Sequence, residues 1–169
     1  MSIAFPFGVD SRRNGELIRH AELKDLPGLL ALYRELRPQD PILPADASSA
    51  QLGRVLGHEG VYLIVCESEH TLVSTCMLAV IPNFGSAGRP FGVLEHVVTL
   101  SAFRRRGFGR ATLEFALDLA WAKGCCKVML LSGAQRVEAH ALYQSVGFRG
   151  DVERSFVAKP ADAVRRRAG

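Results

Sequence analysis

Residues 94–120 constrain the fold of this chain more than any other stretch. They read LEHVVTLSAF, then RRRGFGRA, then TLEFALDLA: an apolar strand, a turn rich in Arg and Gly, and a helix with an apolar face. Gly107 and Gly109 lack a Cβ, so the backbone can turn sharply there and a bulky anion can approach its amides. The helix that follows brings its unpaired N–H groups to the same spot, with about half a positive charge from the macrodipole. Arg104, Arg105, Arg106 and Arg110 add guanidinium donors suited to phosphate oxygens. The segment reads as a pyrophosphate cradle.

Two common nucleotide loops do not fit it. No GxxxxGK[ST] string occurs. A dinucleotide fingerprint would need glycine at Thr112 and an acidic end to the next strand, yet the apolar run Val128–Leu131 ends in Ser132. What remains is R-x-x-G-x-G, Arg104 to Gly109, for which a basic helix start on a flexible glycine turn is the plainer alternative.

A chain of 169 residues suits one domain with a substantial core. Its net charge of +4 is modest and gathers at Arg12–Arg13, Arg104–Arg106 and Arg165–Arg167. A nucleic-acid binder would spread its cations along a face with interleaved aromatics, so one polyphosphate ligand fits better than a long polyanion. Cys66, Cys76, Cys125 and Cys126 form no C-x-x-C pair and have no matching His pair, which argues against zinc. Adjacent cysteines do not bridge without strain, and a reduced cytoplasm is the expected setting. No signal peptide is read at the N-terminus, and no apolar run approaches the roughly 20 residues that span a bilayer.

Along the chain, residues 1–15 read as a loosely held arm. Glu16–Glu22 is a candidate strand. A helix capped by Asp25, with Pro27 in its first turn, runs to Pro38 on Leu26, Leu29, Leu30, Tyr33 and Leu36. Ser48 with Gln51 suggests a capping box for a second helix that ends at Gly57. Val61–Glu67 and Leu72–Ile81 form a hairpin about Ser68–His70, and Pro82–Gly92 is a loop. The strand Leu94–Thr99 leads to a helix from about Arg106 to Lys123, with Phe108, Ala111, Phe115, Leu119 and Ala122 on one face and Leu113, Leu117 and Ala120 widening it. Lys127–Leu131 is a buried strand and Val137–Val146 a helix. Phe148–Val152 and Ser155–Ala158 are expected as a closing strand pair, and the basic tail 161–169 has no separate role. The pattern is α+β around one mixed sheet.

Downstream lies AHALYQSVGF, residues Ala139 to Phe148. It matches the A-x-x-[FL]-Y-x-x-x-G-F pattern of the GNAT superfamily of acetyl-CoA-dependent N-acetyltransferases. Together with the R-x-x-G-x-G cradle, and with IRHAELKDLPGLLALYREL resembling that family's first strand and helix, it makes residues 16–158 resemble a GNAT domain. The resemblance implies a single domain over 16–160, a mixed central sheet flanked by helices, and two parallel central strands, Leu94–Thr99 and Lys127–Leu131, splayed at a bulge. It implies acetyl-CoA as co-substrate and no metal. The pantetheine arm would pair with Val97, Val98 and Thr99, and the diphosphate would rest on Arg104, Arg105, Arg106, Gly107, Phe108, Gly109 and Arg110, with Leu142 and Tyr143 also contacting the cofactor. Arg136 stands where the family often has Asn, and could instead reach a CoA phosphate.

Acetyl transfer to an amine needs a neutral amine, a stabilised oxyanion and a proton for the thiolate. An alkylammonium of pKa about 10.4 is only about one part in a thousand neutral at pH 7.4, a deficit of roughly 4 kcal/mol. Backbone N–H groups near Val98 would serve the oxyanion and Tyr143 the thiolate. Glu95 is the candidate base, although a carboxylate of ordinary pKa needs burial or a water relay for that task. A surface ion pair is its plainer reading. His96 should alternate to the other face of the strand, so only one of the two would meet substrate. Tyr33, Arg37, Asn83, Phe84, His96 and Phe156 are candidates to line the acceptor site. The acceptor expected is a small-molecule primary amine, with no nucleic acid and no membrane as partner, and a homodimer is compatible. Acetylation of protein N-termini or lysines, and a CoA-binding regulatory module without turnover, stay open as alternatives.

Overall fold

The computed structural model describes residues 10–13, 16–41 and 43–158. The chain divides into two compact units, Met1–Leu130 and Leu131–Gly169. The first holds a six-stranded sheet whose strands lie side by side in chain order: β1 (Asp10–Arg13), β2 (Glu16–His20), β3 (Val61–Ser68), β4 (Thr71–Ile81), β5 (Phe91–Thr99) and β6 (Val128–Leu130). All neighbouring pairs are antiparallel except β5 and β6, which run parallel and are joined through a helix. This is the mixed α+β sheet expected from the sequence. β1 lies in the stretch read as a loose arm; its DSRR sequence has no apolar alternation, and pairing with β2 makes it a strand. The tail 161–169 lies outside the described residues.

Helices α1 (Leu26–Leu36), α2 (Ala45–Leu56) and α3 (Phe108–Ala122) complete this unit. Beneath α1 and α2, Leu29, Leu52, Leu63 and Val65 form a buried cluster with Ala21. The second helix starts three residues before the expected Ser48 cap. Pro44 precedes its first turn, and Ser48 is buried within it, donating to the Leu43 carbonyl at 3.2 Å. On α3 the buried stripe is Phe108, Gly109, Thr112, Leu113, Ala116 and Ala120, rather than the stripe read through Ala111, Phe115 and Ala122. Thr112 can face the core because its hydroxyl donates to the Phe108 carbonyl at 2.8 Å, leaving its methyl for packing.

A buried ion network fixes where α1 begins. Arg19 on β2 donates to both Asp25 carboxylate oxygens, at 2.6 and 2.9 Å, and to Glu67 on β3 at 3.0 Å. Asp25 also accepts from the Glu22 amide. Burial pushes the Asp25 carboxyl up, but the bonds from Arg19 and Glu22 outweigh it and hold the group below its usual range. Asp25 therefore anchors the helix through Arg19 and makes no side-chain cap of α1.

The second unit contains α4 (Val137–Ser145), which ends ahead of Gly147 at φ +98°. The expected closing strands Phe148–Val152 and Ser155–Ala158 do not form. Asp151 interrupts the first run, Phe156 is 87% exposed, and no strand among the described residues pairs with either segment. Among the described residues, no helix is long and apolar enough to cross a membrane. None of the described His, Cys, Asp and Glu side chains gather in threes that could hold a metal ion, and all four cysteines are free.

Candidate active site

The site is built around a defect in β5. Along β4 the register advances from Thr75 to Met77, while along β5 it runs from Val98 to Glu95, one residue more. The surplus is a β-bulge, and within it His96 takes a left-handed φ of +54°. The parallel ladder between β5 and β6 covers only Gly92–Leu94 against Val128–Leu130. From Glu95 to Thr99, no strand among the described residues pairs with β5 on that side. Ser74 steadies this segment from β4, donating to the Val98 carbonyl at 3.0 Å and lying 2.9 Å from the Thr99 hydroxyl. An open strand edge of that length offers backbone donors and acceptors to an extended ligand.

The bulge also overturns the expected alternation of Glu95 and His96. Glu95 lies opposite Met77, and directly opposed residues share a face. Met77 and His96 both line one cavity of about 660 Å³. The two side chains therefore sit on the same face, because the left-handed residue breaks the period of two. His96 stacks edge-to-face on Tyr33 of α1, with ring centroids 5.2 Å apart, and its Nδ1 is buried without a hydrogen-bond partner. Burial lowers the pKa of His96 below its usual 6.5, and Arg37 lowers it further; Glu95 and Asp40 pull the other way without cancelling the drop. Burial pushes the Tyr33 phenol up to about 12, so it remains a hydroxyl donor.

The cavity lies between α1, α2 and the sheet and brings together Tyr33, Arg37 and His96. Glu95 is beside it but not in its wall. Asn83 does not line it either: its Oδ1 accepts from the Gly85 amide at 3.0 Å, closing a turn after β4, where Phe84 is fully exposed. Asp40, Leu26, Leu30 and Val55 belong to its wall and were not among the candidates. Leu26 and Leu30 carried a visible signal as members of the α1 stripe, whereas Asp40, in the loop after Pro38, carried none.

The cradle of arginines and glycines takes its shape from its own side chains. Arg104 donates to the Thr99 carbonyl at 3.1 Å and to Glu35 of α1 at 2.8 Å, while Glu35 also accepts from the Ser101 amide at 2.6 Å. Arg104 thus holds the loop, and Arg106 packs over the Phe103 and Phe108 rings at 5.2 and 5.1 Å. Arg105 has φ +58° and Gly107, at the N-cap of α3, has φ +92°. The first intrahelical bond is Ala111 N–H to Gly107 C=O, so the amides of Phe108, Gly109 and Arg110 have no intrahelical acceptor. Arg105 and Arg110 are exposed, and among the described residues neither side chain is engaged in an ion pair. Replacing Glu35 by alanine removes two bonds that order this loop. At about 0.5 kcal/mol for each of these two exposed bonds, about 1 kcal/mol together, the affinity expected for CoA should fall roughly fivefold, read by calorimetric titration.

In the second unit, Tyr143 is buried on α4 with its ring 6.2 Å from that of Phe148, whose amide donates to the Tyr143 carbonyl at 3.0 Å. Leu142 is half-buried beside it. Arg136 is exposed at the N-cap of α4, and Phe156 is exposed beyond the helix.

Comparison with known proteins extends this geometry. Residues 26–148 match the family model described as acetyltransferase (GNAT) family. A solved structure of a putative acetyltransferase from Agrobacterium tumefaciens is 37% identical, with a TM-score of 0.79, covering 84% of this chain and 99% of that one. Glucosamine 6-phosphate N-acetyltransferase of Trypanosoma brucei brucei is 29% identical over 134 residues, 78% of this chain and 88% of the relative. The glucosamine-6-phosphate N-acetyltransferase structure from Arabidopsis thaliana shares the fold at 21% identity, with a TM-score of 0.75 over 85% of this chain and 97% of that one.

Proposed function

Because this chain belongs to the GNAT family of acetyltransferases, we propose that it transfers the acetyl group of acetyl-CoA to a primary amine of a small molecule. The amine would be held beside His96 in the cavity beneath α1 and α2. The observation that carries this reading is the bulge at His96. A single distortion leaves one edge of β5 unpaired over Glu95–Thr99 and turns an imidazole with an unpartnered Nδ1 into a half-open, largely apolar cavity.

The residues present fit acetyl-CoA. Val97, Val98 and Thr99 would hold the pantetheine arm on the open edge of β5. The amides of Phe108, Gly109 and Arg110, with Arg105 and Arg110, would hold the diphosphate. At Gly107 a built Cβ would meet nothing within 4 Å, so the backbone there faces open space. When bound, acetyl-CoA supplies an activated acyl group. The chain's own tasks are then to orient the amine, take its proton and exclude water.

His96 is the better proton acceptor. Its depressed pKa keeps it neutral at pH 7, as a base must be. Glu95 shares its face and would steady the imidazolium once formed. Tyr143 is assigned the proton that the departing thiolate takes up. A phenol of ordinary pKa near 10 carries its proton at neutral pH. A thiol of pKa about 8.5 leaves without much help, so this assistance is modest. Tyr143→Phe should leave CoA binding unchanged and slow turnover about tenfold; unaltered turnover removes Tyr143 from the mechanism.

The name of the trypanosomal relative makes an amino sugar phosphate one acceptor to compare. Thiol release from acetyl-CoA over a panel of amines, with the acetylated product weighed by mass spectrometry, tests the reading. Tight CoA binding with no product from any amine would replace it with a binding module.

A further inference from the structure

We infer that the acceptor cavity selects a primary amine carrying a bulky apolar group and a carboxylate: an apolar α-amino acid rather than an amino sugar. This rests on the acetyltransferase reading above and names the class of acceptor. At about 660 Å³ the cavity is of the size that encloses a small ligand. Its wall is mainly aliphatic, contributed by Leu26, Leu29 and Leu30 of α1, Leu52 and Val55 of α2, and Leu63 and Met77 of the sheet.

Several of the polar groups in that wall are already engaged. Arg34 donates to the carbonyls of Pro38 at 2.9 Å and Asp40 at 3.4 Å. The Ser48 hydroxyl is spent on the Leu43 carbonyl, and the Gln51 carbonyl oxygen accepts twice from Arg54, at 3.0 and 2.7 Å. A hexosamine would bring several hydroxyls into this space, and each buried hydroxyl without a partner costs about 1–3 kcal/mol. An apolar side chain asks for no such partners and gains from burial.

The charges that remain are of opposite sign and act at one place. Arg37 and Asp40 both line the cavity, neither side chain has a hydrogen-bond or ion-pair partner among the described residues, and both act electrostatically on His96. An ammonium and a carboxylate on one carbon are the complement of that pair. Arg37 would grip the carboxylate through its planar fork. Asp40 would receive the ammonium before His96 takes its proton, and the apolar side chain would then run between α1 and α2.

Three acceptors test this with the intact chain: phenylalanine, phenethylamine and glucosamine 6-phosphate, each followed by thiol release from acetyl-CoA. Phenylalanine is expected to exceed both others at least tenfold in kcat/KM. Its advantage over phenethylamine should shrink to about twofold in Arg37→Gln, an exposed position whose change leaves the fold intact. Preference for the sugar phosphate, or equal use of phenylalanine and phenethylamine by the parent protein, overturns the inference while leaving the transfer activity standing. If no acceptor releases thiol, calorimetric titration of the same three compounds into the CoA-saturated protein decides. Phenylalanine binding tightest and depending on Arg37 keeps the class and removes the turnover reading; any other order, or no binding, removes the class.

Discussion

Replacing Gly107 by valine should lower CoA affinity tenfold or more without unfolding the chain. Gly107 sits at the N-cap of α3 with φ +92°, a region that L side chains rarely adopt. Holding a side chain in left-handed backbone costs roughly 1–2 kcal/mol, and a β-branched residue fares worse still. Since 1.4 kcal/mol is a factor of ten, the population of turns that aim the Phe108, Gly109 and Arg110 amides outward should fall by at least that much. The cause is the dihedral and not crowding within the free protein, because a Cβ at Gly107 meets nothing within 4 Å. Asparagine, which tolerates left-handed backbone, should fall between glycine and alanine, and valine should be worst. Calorimetric titration with CoA gives the order, and circular dichroism confirms that the variants are folded. Valine binding as tightly as glycine would mean that the diphosphate lies elsewhere.

Much of the fold could be read because its elements obey their periods. The hairpin of β3 and β4 is two apolar, branched runs about a polar turn, the helix α1 repeats apolar residues at spacings of three to four, and each formed close to where it was expected. Errors arose where tertiary contacts override local preference. Polar DSRR becomes a strand only because β2 is beside it, and Thr112 enters the core only because its hydroxyl finds the Phe108 carbonyl. Phe156 and Val157 had the residue types of a strand, yet among the described residues no strand pairs with them.

The candidate site was legible as residue types and illegible as geometry. Glycine and arginine at Arg104–Gly109 announce an anion cradle, but nothing local says that Arg104 is tied to Glu35, 69 residues earlier in the chain. Nor does His96 betray a left-handed backbone, since that conformation follows from one extra residue in β5 relative to β4. Strict alternation assigned Glu95 and His96 to opposite faces, and the bulge puts both beside the cavity. Tyr33, on the apolar stripe of α1, and Arg37, at its C-cap, were within reach of sequence because the helix that stops before Pro38 could be read from its spacing. Asp40, in an irregular loop, was not.

The bulge makes the identity of the proton acceptor a question that two variants answer. His96→Ala should reduce kcat/KM by about 10² or more, the usual worth of a placed base. The pH profile gives a sharper readout than the rate alone. His96 is half-buried against Tyr33, with Arg37 and Asp40 acting on it from the α1 side and Glu95 from its own strand, and its net shift is downward from 6.5. Only the neutral imidazole accepts a proton, so kcat/KM should be independent of this group above its pKa and fall as pH drops through it, at a value below 6.5. In His96→Ala that acidic limb should vanish, leaving the limb set by ionisation of the acceptor amine. Glu95→Gln separates the two candidates. Glu95 raises the His96 pKa, so losing its charge should move the acidic limb to still lower pH while activity at pH 8 stays within a few-fold of the parent. If Glu95 itself takes the proton, Glu95→Gln should instead abolish activity at every pH and His96→Ala should retain the acidic limb. The contrast is decisive because both residues meet the same face of β5, and only the group that accepts the proton can own the ionisation that controls the rate.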